Sequence, residues 1–338
     1  MAKISVIVPC YNLAGWIRDC LDSILVQDFG DWECVVVDDE STDDSPKILD
    51  EYSEKDSRIR VIHQKNSGEG GARNAGIATA KGEWVFFLDG DDVMAPGALE
   101  RLSQIIENNP AEKLIRFGYE RFQDGEHWTP QVQKGEVLRK DVAAQIAMSD
   151  FFTYVWQHLY RRDVIQGVSF KAYKRGCDRV FVDDVLLNRV NSFVETTDVF
   201  YGYRVRAGSA MNSVPTVQVL KDEMWHRRDI VLMIEASEKK VVYAGGWWLE
   251  RYFTKYFGEL VVQKPVEDRG RLWDEWLKCV HEMKDAKGIS PYARKVYRLA
   301  SKFPNYLVAR FLAYTYPWYI DHGVLPRAWR KMLRIVFG

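Results

Sequence analysis

The sequence predicts an α/β fold with a doubly wound, mostly parallel sheet, followed from residue 215 by a mainly helical region. Short apolar runs rich in β-branched residues alternate with helical patterns through the first hundred residues, which is the order of a parallel sheet covered by helices. Polar and acidic residues follow directly on several of these runs. In such folds ligands bind beyond the carboxyl ends of the strands, so these residues are the first candidates for a site.

The predicted elements follow one another in a regular order. Four short runs predict strands at residues 4–8, 33–37, 60–62 and 84–88, and the first two of these are expected to be buried. Helical patterns lie at residues 16–27, 45–52, 71–80 and 99–108. In the first helix Ile17, Leu21 and Ile24 share one face, and Pro46 suits the first turn of the second helix. After residue 108 strand-like and irregular segments mix until about residue 214.

The composition limits the classes of partner and compartment. The 338-residue chain has a formal net charge of −1, which gives no reason to expect nucleic acid as a partner. Its five cysteines are scattered without a C-x-x-C pair, which indicates a reducing compartment and argues against a disulfide framework or structural zinc. The first residues lack a signal-peptide pattern, and no apolar run reaches the length of about 18 residues needed to span a bilayer. We therefore expect a cytoplasmic protein.

The fourth predicted strand ends in Asp89, Asp91 and Asp92, which predict a metal site. Carboxylate oxygens are hard ligands that suit Mg²⁺ or Mn²⁺, and these ions keep open coordination positions for phosphate oxygens. Such an ion stabilises the charge on a departing diphosphate without a proton donor. The alternative is a solvated acidic loop. The position directly after a buried strand, with a second acidic strand end nearby, favours the metal site.

The second predicted strand also ends in acids, Asp38, Asp39 and Glu40. A carboxylate at Asp39 can accept a hydrogen bond from the imide N–H of uracil, which cytosine lacks. The alternative is a polar cluster, continuing through residues 41–43, that caps the following helix. Both interpretations hold together if Asp39 reads the base and a later residue is the cap.

A glycine-rich segment at residues 66–76 leads into the third helix. Glycines allow close backbone approach to a ligand, and a helix N-terminus favours anions. Within this segment Arg73 is a candidate to hold a phosphate or the base. The segment has neither a G-x-G-x-x-G nor a G-K-[S/T] arrangement, which argues against dinucleotide-binding and P-loop sites.

Together these segments resemble the family 2 glycosyltransferases of the GT-A fold. The matching motifs are SVIVPCYN at residues 5–12, VDDESTD at 37–43, NSGEGGARNAG at 66–76 and LDGDD at 88–92. The resemblance implies a nucleotide-sugar site formed by Pro9, Cys10, Tyr11, Asn12, Asp39, Asn66, Arg73, Asp89 and Gly90. Within that site, uracil would lie by Asp39, the ribose by Asp89, and the metal on Asp91. Glu40 departs from the family's usual glycine.

The resemblance continues more weakly to about residue 213. VWQHLYRR at residues 155–162 resembles a family stretch in which Gln157 and His158 replace Asn and Lys, and residues 201–209 resemble a following segment. FVDDV at residues 181–185 resembles the motif that supplies the catalytic base. It implies Asp184 as the base, while Asp183, which replaces the family's Glu, is the alternative or orients the acceptor.

The resemblance implies an inverting transfer from a UDP-sugar to a hydroxyl of a glycan or a polyprenyl-diphosphate-linked acceptor in surface polysaccharide synthesis. It implies a hexosyl or N-acetylhexosaminyl group and a Mn²⁺ or Mg²⁺ cofactor. We expect residues 1–97 to bind the nucleotide-sugar and residues 98–214 the acceptor. A nucleotidylyltransferase is an alternative that needs a basic early loop, but residues 9–15 contain no Lys or Arg. A non-catalytic nucleotide-sugar-binding module is a second alternative. In such a module we would expect a metal-binding carboxylate or the catalytic-base carboxylate to be missing.

The C-terminal extension, residues 215–338, ends in a basic stretch. From Arg294 onwards the chain has nine Lys or Arg residues and one acid, Asp321. Residues 327–337 place apolar side chains at helical spacing with four basic residues between them. This pattern predicts an amphipathic helix on an anionic membrane surface, so the protein would be peripheral at the inner face. The alternative is a terminal helix packed on its own domain.

Overall fold

The computed structural model describes residues 3–128, 135–143, 154–206, 215–238, 264, 266–283 and 286. The chain forms two compact units, Met1–Gln145 with Phe151–Val214, and Ile146–Asp150 with Pro215–Gly338. The second unit includes the whole chain from Pro215 onwards, where the sequence pattern turns helical. The functional division of the first unit at residue 97 stays a prediction.

The first unit contains a nine-stranded sheet. Its strands are β1 (Ile4–Cys10), β2 (Trp32–Asp38), β3 (Ile59–His63), β4 (Trp84–Phe87), β5 (Val93–Met94), β6 (Leu114–Gln123), β7 (Val137–Asp141), β8 (His158–Arg161) and β9 (Ser192–Val205). Its helices are α1 (Ile17–Leu25), α2 (Ser45–Lys55), α3 (Gly68–Thr79), α4 (Ala98–Asn108), α5 (Arg162–Ile165) and α6 (Cys177–Asn188), with a 3-10 turn at Val155–Gln157. The four strands and four helices predicted up to residue 108 are confirmed, with small differences at their ends.

Strands β3, β2, β1 and β4 lie side by side in that order and run parallel. Every residue of β1, β2 and β4 is buried, so both faces of the sheet are covered and the strands are mainly apolar. A Cβ at Gly76 would lie 2.4 Å from Ile7 Cγ2, so glycine allows α3 to pack closely on β1. From β1 the chain adds β2 and β3 on one side of the sheet and then β4 on the other side. This change of side creates a topological switch point at the carboxyl end of β1.

The other half of the sheet is mixed in direction. Strand β8 lies between β4 and β6 and is antiparallel to both. Strand β9 pairs with β6 in parallel orientation and with β5 and β7 in antiparallel orientation. This half brings residues from β9 next to the acidic loop after β4, although the two are more than a hundred positions apart in the chain.

The second unit is helical where it is described. It contains α7 (Val217–Ala236) and α8 (Val266–Met283), which pack on each other. The Thr216 hydroxyl accepts a hydrogen bond from the Val219 N–H at 3.2 Å and caps α7. The amphipathic helix predicted at residues 327–337 lies outside the described residues. Within the described part of the chain, no helix has the length and apolar character to cross a membrane.

Candidate active site

The ends of β1, β2 and β4 bring the predicted donor-binding residues to one edge of the sheet. Pro9 and Cys10 pair in register with the last residues of β2. The backbone N–H of Asp39 donates to the carbonyl of Cys10 at 2.9 Å, which holds the two strand ends together. A Cβ at Gly90 would stand 2.9 Å from the Pro9 carbonyl oxygen, so glycine lets the acidic loop after β4 approach β1.

Asp39 is buried and anchors the segment that precedes α3. Its Oδ1 accepts hydrogen bonds from Gln64 Nε2 at 2.7 Å and from the Ser67 N–H at 2.9 Å. The Asn66 side chain donates to the Asp39 carbonyl at 2.9 Å, so these two predicted residues do meet. Among the described residues, every hydrogen-bond donor to this carboxylate contacts Oδ1, so Oδ2 is available to accept a hydrogen bond from a ligand. Gln64 and Ser67 were not predicted.

The segment after β1 closes over the end of β2. Asn12 adopts a left-handed conformation with φ 53°, and its Oδ1 accepts a hydrogen bond from the Thr42 N–H at 2.7 Å. Tyr11 beside it is half-exposed, so its ring is available to a ligand. Cys10 is buried, which raises the pKa of its thiol to about 12 and leaves it a packing residue without a nucleophilic thiolate.

Glu40 lies in the turn after β2, at the position where the family usually has glycine. Its φ is 65°, in the left-handed region that a glycine adopts without strain. The side chain accepts from Lys65 Nζ at 2.5 Å and from the Asn66 N–H at 3.2 Å. These contacts tie the end of β2 to the segment before α3 and offset the conformational cost.

Arg73 is completely buried and bound to three carboxylates. Its guanidinium donates to Glu69 at 2.5 Å, Asp89 at 2.6 Å and Asp178 at 2.7 Å. A buried guanidinium is retained only when such partners satisfy it. The sequence pattern offered Arg73 as a direct holder of phosphate or base, whereas its contacts make it the centre of a carboxylate cluster.

The three acids after β4 have different environments. Burial, against the opposing effect of Arg73, raises the pKa of Asp89 to about 6. Asp92 is buried, accepts from the Tyr201 hydroxyl at 2.5 Å and from the Arg204 N–H at 2.7 Å, and so anchors β9 to the acidic loop. The Asp91 side chain is 24% accessible, close to the 20% of Asp89, and Arg206 Nε lies 2.7 Å from its Oδ2.

Helix α6 contributes Asp178 to the cluster, and this residue was not predicted. Asp178 lies in the first turn of the helix, where a carboxylate is favoured by the helix dipole. Burial raises the pKa of Asp178, although Arg73 opposes this. The sequence signal that could have found it is a helix start marked by Gly176, which has φ 83°.

Asp183 and Asp184 lie further along the same helix. Asp184 is six residues beyond Asp178, about 9 Å along the axis and about a third of a turn away in direction. Asp183 is buried and ion-paired with Arg179 at 3.3 Å, while Asp184 accepts from Asn188 at 2.7 Å. The structure therefore gives neither residue a contact with the carboxylate cluster. Their assignment as the base stays a prediction.

His158 has a structural environment. The side chain is buried in β8, and its Nδ1 lies 3.0 Å from the Tyr154 carbonyl oxygen. Burial lowers the pKa of the imidazole to about 3, so the ring is neutral at physiological pH.

Comparisons with known proteins identify the family. The sequence model named Glycosyl transferase family 2 matches residues 5–168. The uncharacterized glycosyltransferase EpsJ of Bacillus subtilis is 37% identical over 168 residues, 48% of this chain and 49% of EpsJ. The glycosyltransferase GlyG of Streptococcus pneumoniae is 30% identical over 257 residues, 72% of this chain and 81% of GlyG. The chain belongs to glycosyl transferase family 2.

A solved structure agrees with the predicted fold of this family 2 chain. TarS 1-349 of S. aureus, solved in complex with UDP-GlcNAc, superposes with a TM-score of 0.73 at 21% identity, covering 93% of this chain and 91% of that chain. The GT-A-type fold predicted from the sequence is confirmed. The match to EpsJ spans only about half of that relative's length, so fold and family are what these likenesses establish.

Proposed function

We propose that this chain is an inverting glycosyltransferase that moves a sugar from a UDP-sugar to a hydroxyl of a glycan or lipid-linked glycan. The observation that carries the proposal is the cluster around Arg73. One buried guanidinium holds Asp89, from the loop after β4, and Asp178, from α6, within 2.7 Å. A donor-side and an acceptor-side carboxylate thus share one edge of the sheet. The solved complexes of TarS with UDP and UDP-GlcNAc support UDP as the nucleotide.

Asp39 is proposed to recognise the uracil. Its Oδ1 is fixed by Gln64 and Ser67, so Oδ2 has a defined direction in which to accept the imide N–H. Tyr11, half-exposed at the end of β1, offers a flat ring beside it. Asp89 remains our candidate for the ribose, because it is held in place by Arg73.

The residues around Asp91 fit a divalent cation. Glu69, Asp89, Asp91 and Asp178 face two guanidinium groups, Arg73 and Arg206, which leaves a formal excess of two negative charges. Among the described residues, no three His, Cys, Asp or Glu side chains are grouped as a metal site. Asp91 would therefore hold Mn²⁺ or Mg²⁺ together with the donor diphosphate, a usual arrangement for these ions. The bound ion would stabilise the negative charge of the leaving diphosphate.

We assign the catalytic base to Asp178 in place of Asp184. As the acceptor oxygen bonds to the anomeric carbon and the bond to the diphosphate breaks, the acceptor proton passes to the Asp178 carboxylate. Burial raises the pKa of Asp178, which makes it a stronger base than an exposed aspartate. Arg73 holds the carboxylate in position for this step through a hydrogen bond of 2.7 Å.

Release of UDP tests the proposed reaction. The full chain is mixed with UDP-GlcNAc, UDP-GalNAc, UDP-glucose or UDP-galactose, with Mn²⁺, Mg²⁺ or a chelator, and free UDP is measured. We expect UDP release from one hexosyl or N-acetylhexosaminyl donor, dependent on the metal and accelerated by acceptor glycan. Equal release with and without enzyme for every donor would exclude a UDP-sugar transferase.

We also propose that the basic C-terminal stretch holds the enzyme on an anionic membrane, next to a polyprenyl-diphosphate-linked acceptor. Each basic residue near such a surface contributes about 1 kcal/mol of binding. The experiment is flotation of the full chain, and of a chain ending at Leu325, with anionic and neutral liposomes at low and high salt. Only the full chain should float with anionic liposomes at low salt. Equal flotation of both chains would show that residues 326–338 do not anchor it.

A further inference from the structure

Two non-glycine residues with a left-handed backbone lie at the proposed uracil site. Among the described residues, only Asn12 and Glu40 adopt this conformation without being glycine, with φ of 53° and 65°. Asparagine tolerates the left-handed region because its short polar side chain bonds locally, whereas glutamate has no such advantage. Strain of this kind persists where the surrounding structure enforces it, and it clusters at ligand-binding and catalytic sites. The conformation of Glu40 therefore calls for a functional reason.

The Glu40 side chain makes two contacts with the segment before α3. Its Oε1 accepts from Lys65 Nζ at 2.5 Å, and its Oε2 accepts from the backbone N–H of Asn66 at 3.2 Å. The Lys65 side chain is 93% exposed, so solvent screens the ion pair and its contribution is small. The contact with Asn66 differs because it fixes a point of the backbone. Of the two contacts, this one can act on the site.

Asn66 connects Glu40 to Asp39. The Asn66 Nδ2 donates to the Asp39 carbonyl at 2.9 Å, and the next backbone N–H, that of Ser67, donates to Asp39 Oδ1 at 2.9 Å. Since Asp39 and Glu40 are adjacent, these hydrogen bonds close a small ring of contacts between the end of β2 and residues 66–67. A shift of the Asn66 backbone would move the Ser67 N–H and so change the direction of the Asp39 carboxylate.

We propose that Glu40 is a positioning residue for uracil recognition. By holding the Asn66 N–H it keeps Ser67 on Oδ1 of the neighbouring carboxylate. The other oxygen, Asp39 Oδ2, is thereby directed towards the imide N–H. The inference rests on the proposed function, since it takes Asp39 as the residue that reads the base. A glycine at position 40 would relax the backbone but would hold nothing. A group fixed before the ligand arrives reduces the cost of ordering the site on binding.

Calorimetry with UDP and with CDP on the full chain, in the presence of Mn²⁺, tests this role. Glu40→Gly removes both the backbone strain and the carboxylate. Its melting temperature should therefore stay the same or rise, while its UDP affinity falls about three- to tenfold, the effect of one lost hydrogen bond. CDP affinity should stay nearly constant, because cytosine has no imide N–H for Asp39 to accept. Glu40→Asn tolerates the left-handed backbone but is one methylene shorter, so it should bind nucleotides as Glu40→Gly does.

Three further variants are controls. Glu40→Gln keeps the side-chain length and an oxygen that can accept from the Asn66 N–H, so it should retain the UDP affinity. Lys65→Met removes only the exposed ion pair and should retain it too. Glu51→Gln breaks another exposed ion pair, the one with Arg18 at 2.8 Å on α1, and should leave both affinities unchanged.

The ratio of UDP to CDP affinity separates positioning from a merely structural role. A reduced ratio in Glu40→Gly and Glu40→Asn, with the ratio kept in Glu40→Gln, supports the proposal. If the unmodified protein prefers UDP but both of the first two variants keep that preference, or lose affinity for UDP and CDP alike, Glu40 does not position Asp39, and the proposed function stands. If the unmodified protein binds UDP no better than CDP, uracil recognition by Asp39 fails, and the role of Glu40 fails with it.

Discussion

Replacing Asp178 by asparagine separates the two candidate bases of α6. Asparagine keeps the size of the side chain and an oxygen that can accept from Arg73, but it cannot take a proton. Arg73 also retains its contacts with Glu69 and Asp89, at 2.5 Å and 2.6 Å. We therefore expect the fold to survive, with the free energy of unfolding lowered by about 1–2 kcal/mol, as for a weakened hydrogen bond to a charged group.

The effect on catalysis should be much larger. Loss of a general base lowers the rate by about 10²–10⁴-fold, which corresponds to about 3–5 kcal/mol of activation free energy. The affinity for UDP should change little, because Asp178 lies on α6, whereas Asp39, the residue proposed to bind the uracil, directly follows β2. A fall in kcat without loss of donor binding is the expected pattern for a group that acts only in the transition state.

Asp184→Asn, on the same helix, is the matched control. Its side chain contacts Asn188, outside the cluster, so its kcat should stay near that of the unmodified enzyme. The assay measures kcat by UDP release and UDP affinity by calorimetry for both variants. If Asp178→Asn keeps its kcat and Asp184→Asn loses it, the base is Asp184 and the inference from the Arg73 contacts is wrong.

Three further predictions concern the strand ends. Asp91→Asn should abolish the Mn²⁺-dependent part of UDP affinity in calorimetry, while Asp31→Asn, at the amino end of β2, should not. Asp39→Asn should reduce the preference for UDP over CDP in competition binding by about 2–3 kcal/mol, the value of a charge-assisted hydrogen bond; an unchanged preference would contradict its role. The hydrogen bond to Asp38 at 2.8 Å raises the pKa of His63. Protonated His63 therefore stabilises the fold below about pH 6.5, and this stabilisation is lost as the pH rises through the pKa of His63 in the folded protein. Denaturant unfolding of His63→Gln should accordingly depend less on pH between about 6 and 8.

The parallel half of the sheet could be predicted from the sequence because its evidence is local. Fully buried strands such as Ile4–Cys10 and Trp32–Asp38 are mainly apolar, and each is followed by a helix with an apolar face. The mixed half could not be predicted. Insertion of His158–Arg161 between two distant strands depends on pairing across the chain, which leaves no periodic pattern in the sequence.

The candidate site likewise contains residues that could be predicted from local sequence features and residues that could not. The acids after β2 and β4 were visible because a strand end is a local feature, and Asp39 does meet Asn66 as the shared motifs implied. Asp178 was missed because its partner Arg73 is 105 positions away, while the adjacent pair Asp183 and Asp184 looked like the family motif. Neighbouring side chains of a helix point in directions about 100° apart, so two adjacent acids do not have to lie on the same surface of the helix.

Arg73 explains why so much negative charge can be gathered at this edge of the sheet. Without it, Glu69, Asp89 and Asp178 would repel one another, and their pKa values would rise until one or more became protonated. With a single guanidinium at 2.5–2.7 Å from all three, the carboxylates keep fixed positions, yet the cluster remains formally negative. The pKa of Asp89, still raised to about 6, shows that one cation does not fully offset burial and the neighbouring acids. We expect this residual field to favour the divalent cation proposed at Asp91 and proton transfer to Asp178, the proposed base. Under the proposed function, one buried residue thereby organises both the donor side and the acceptor side of the site.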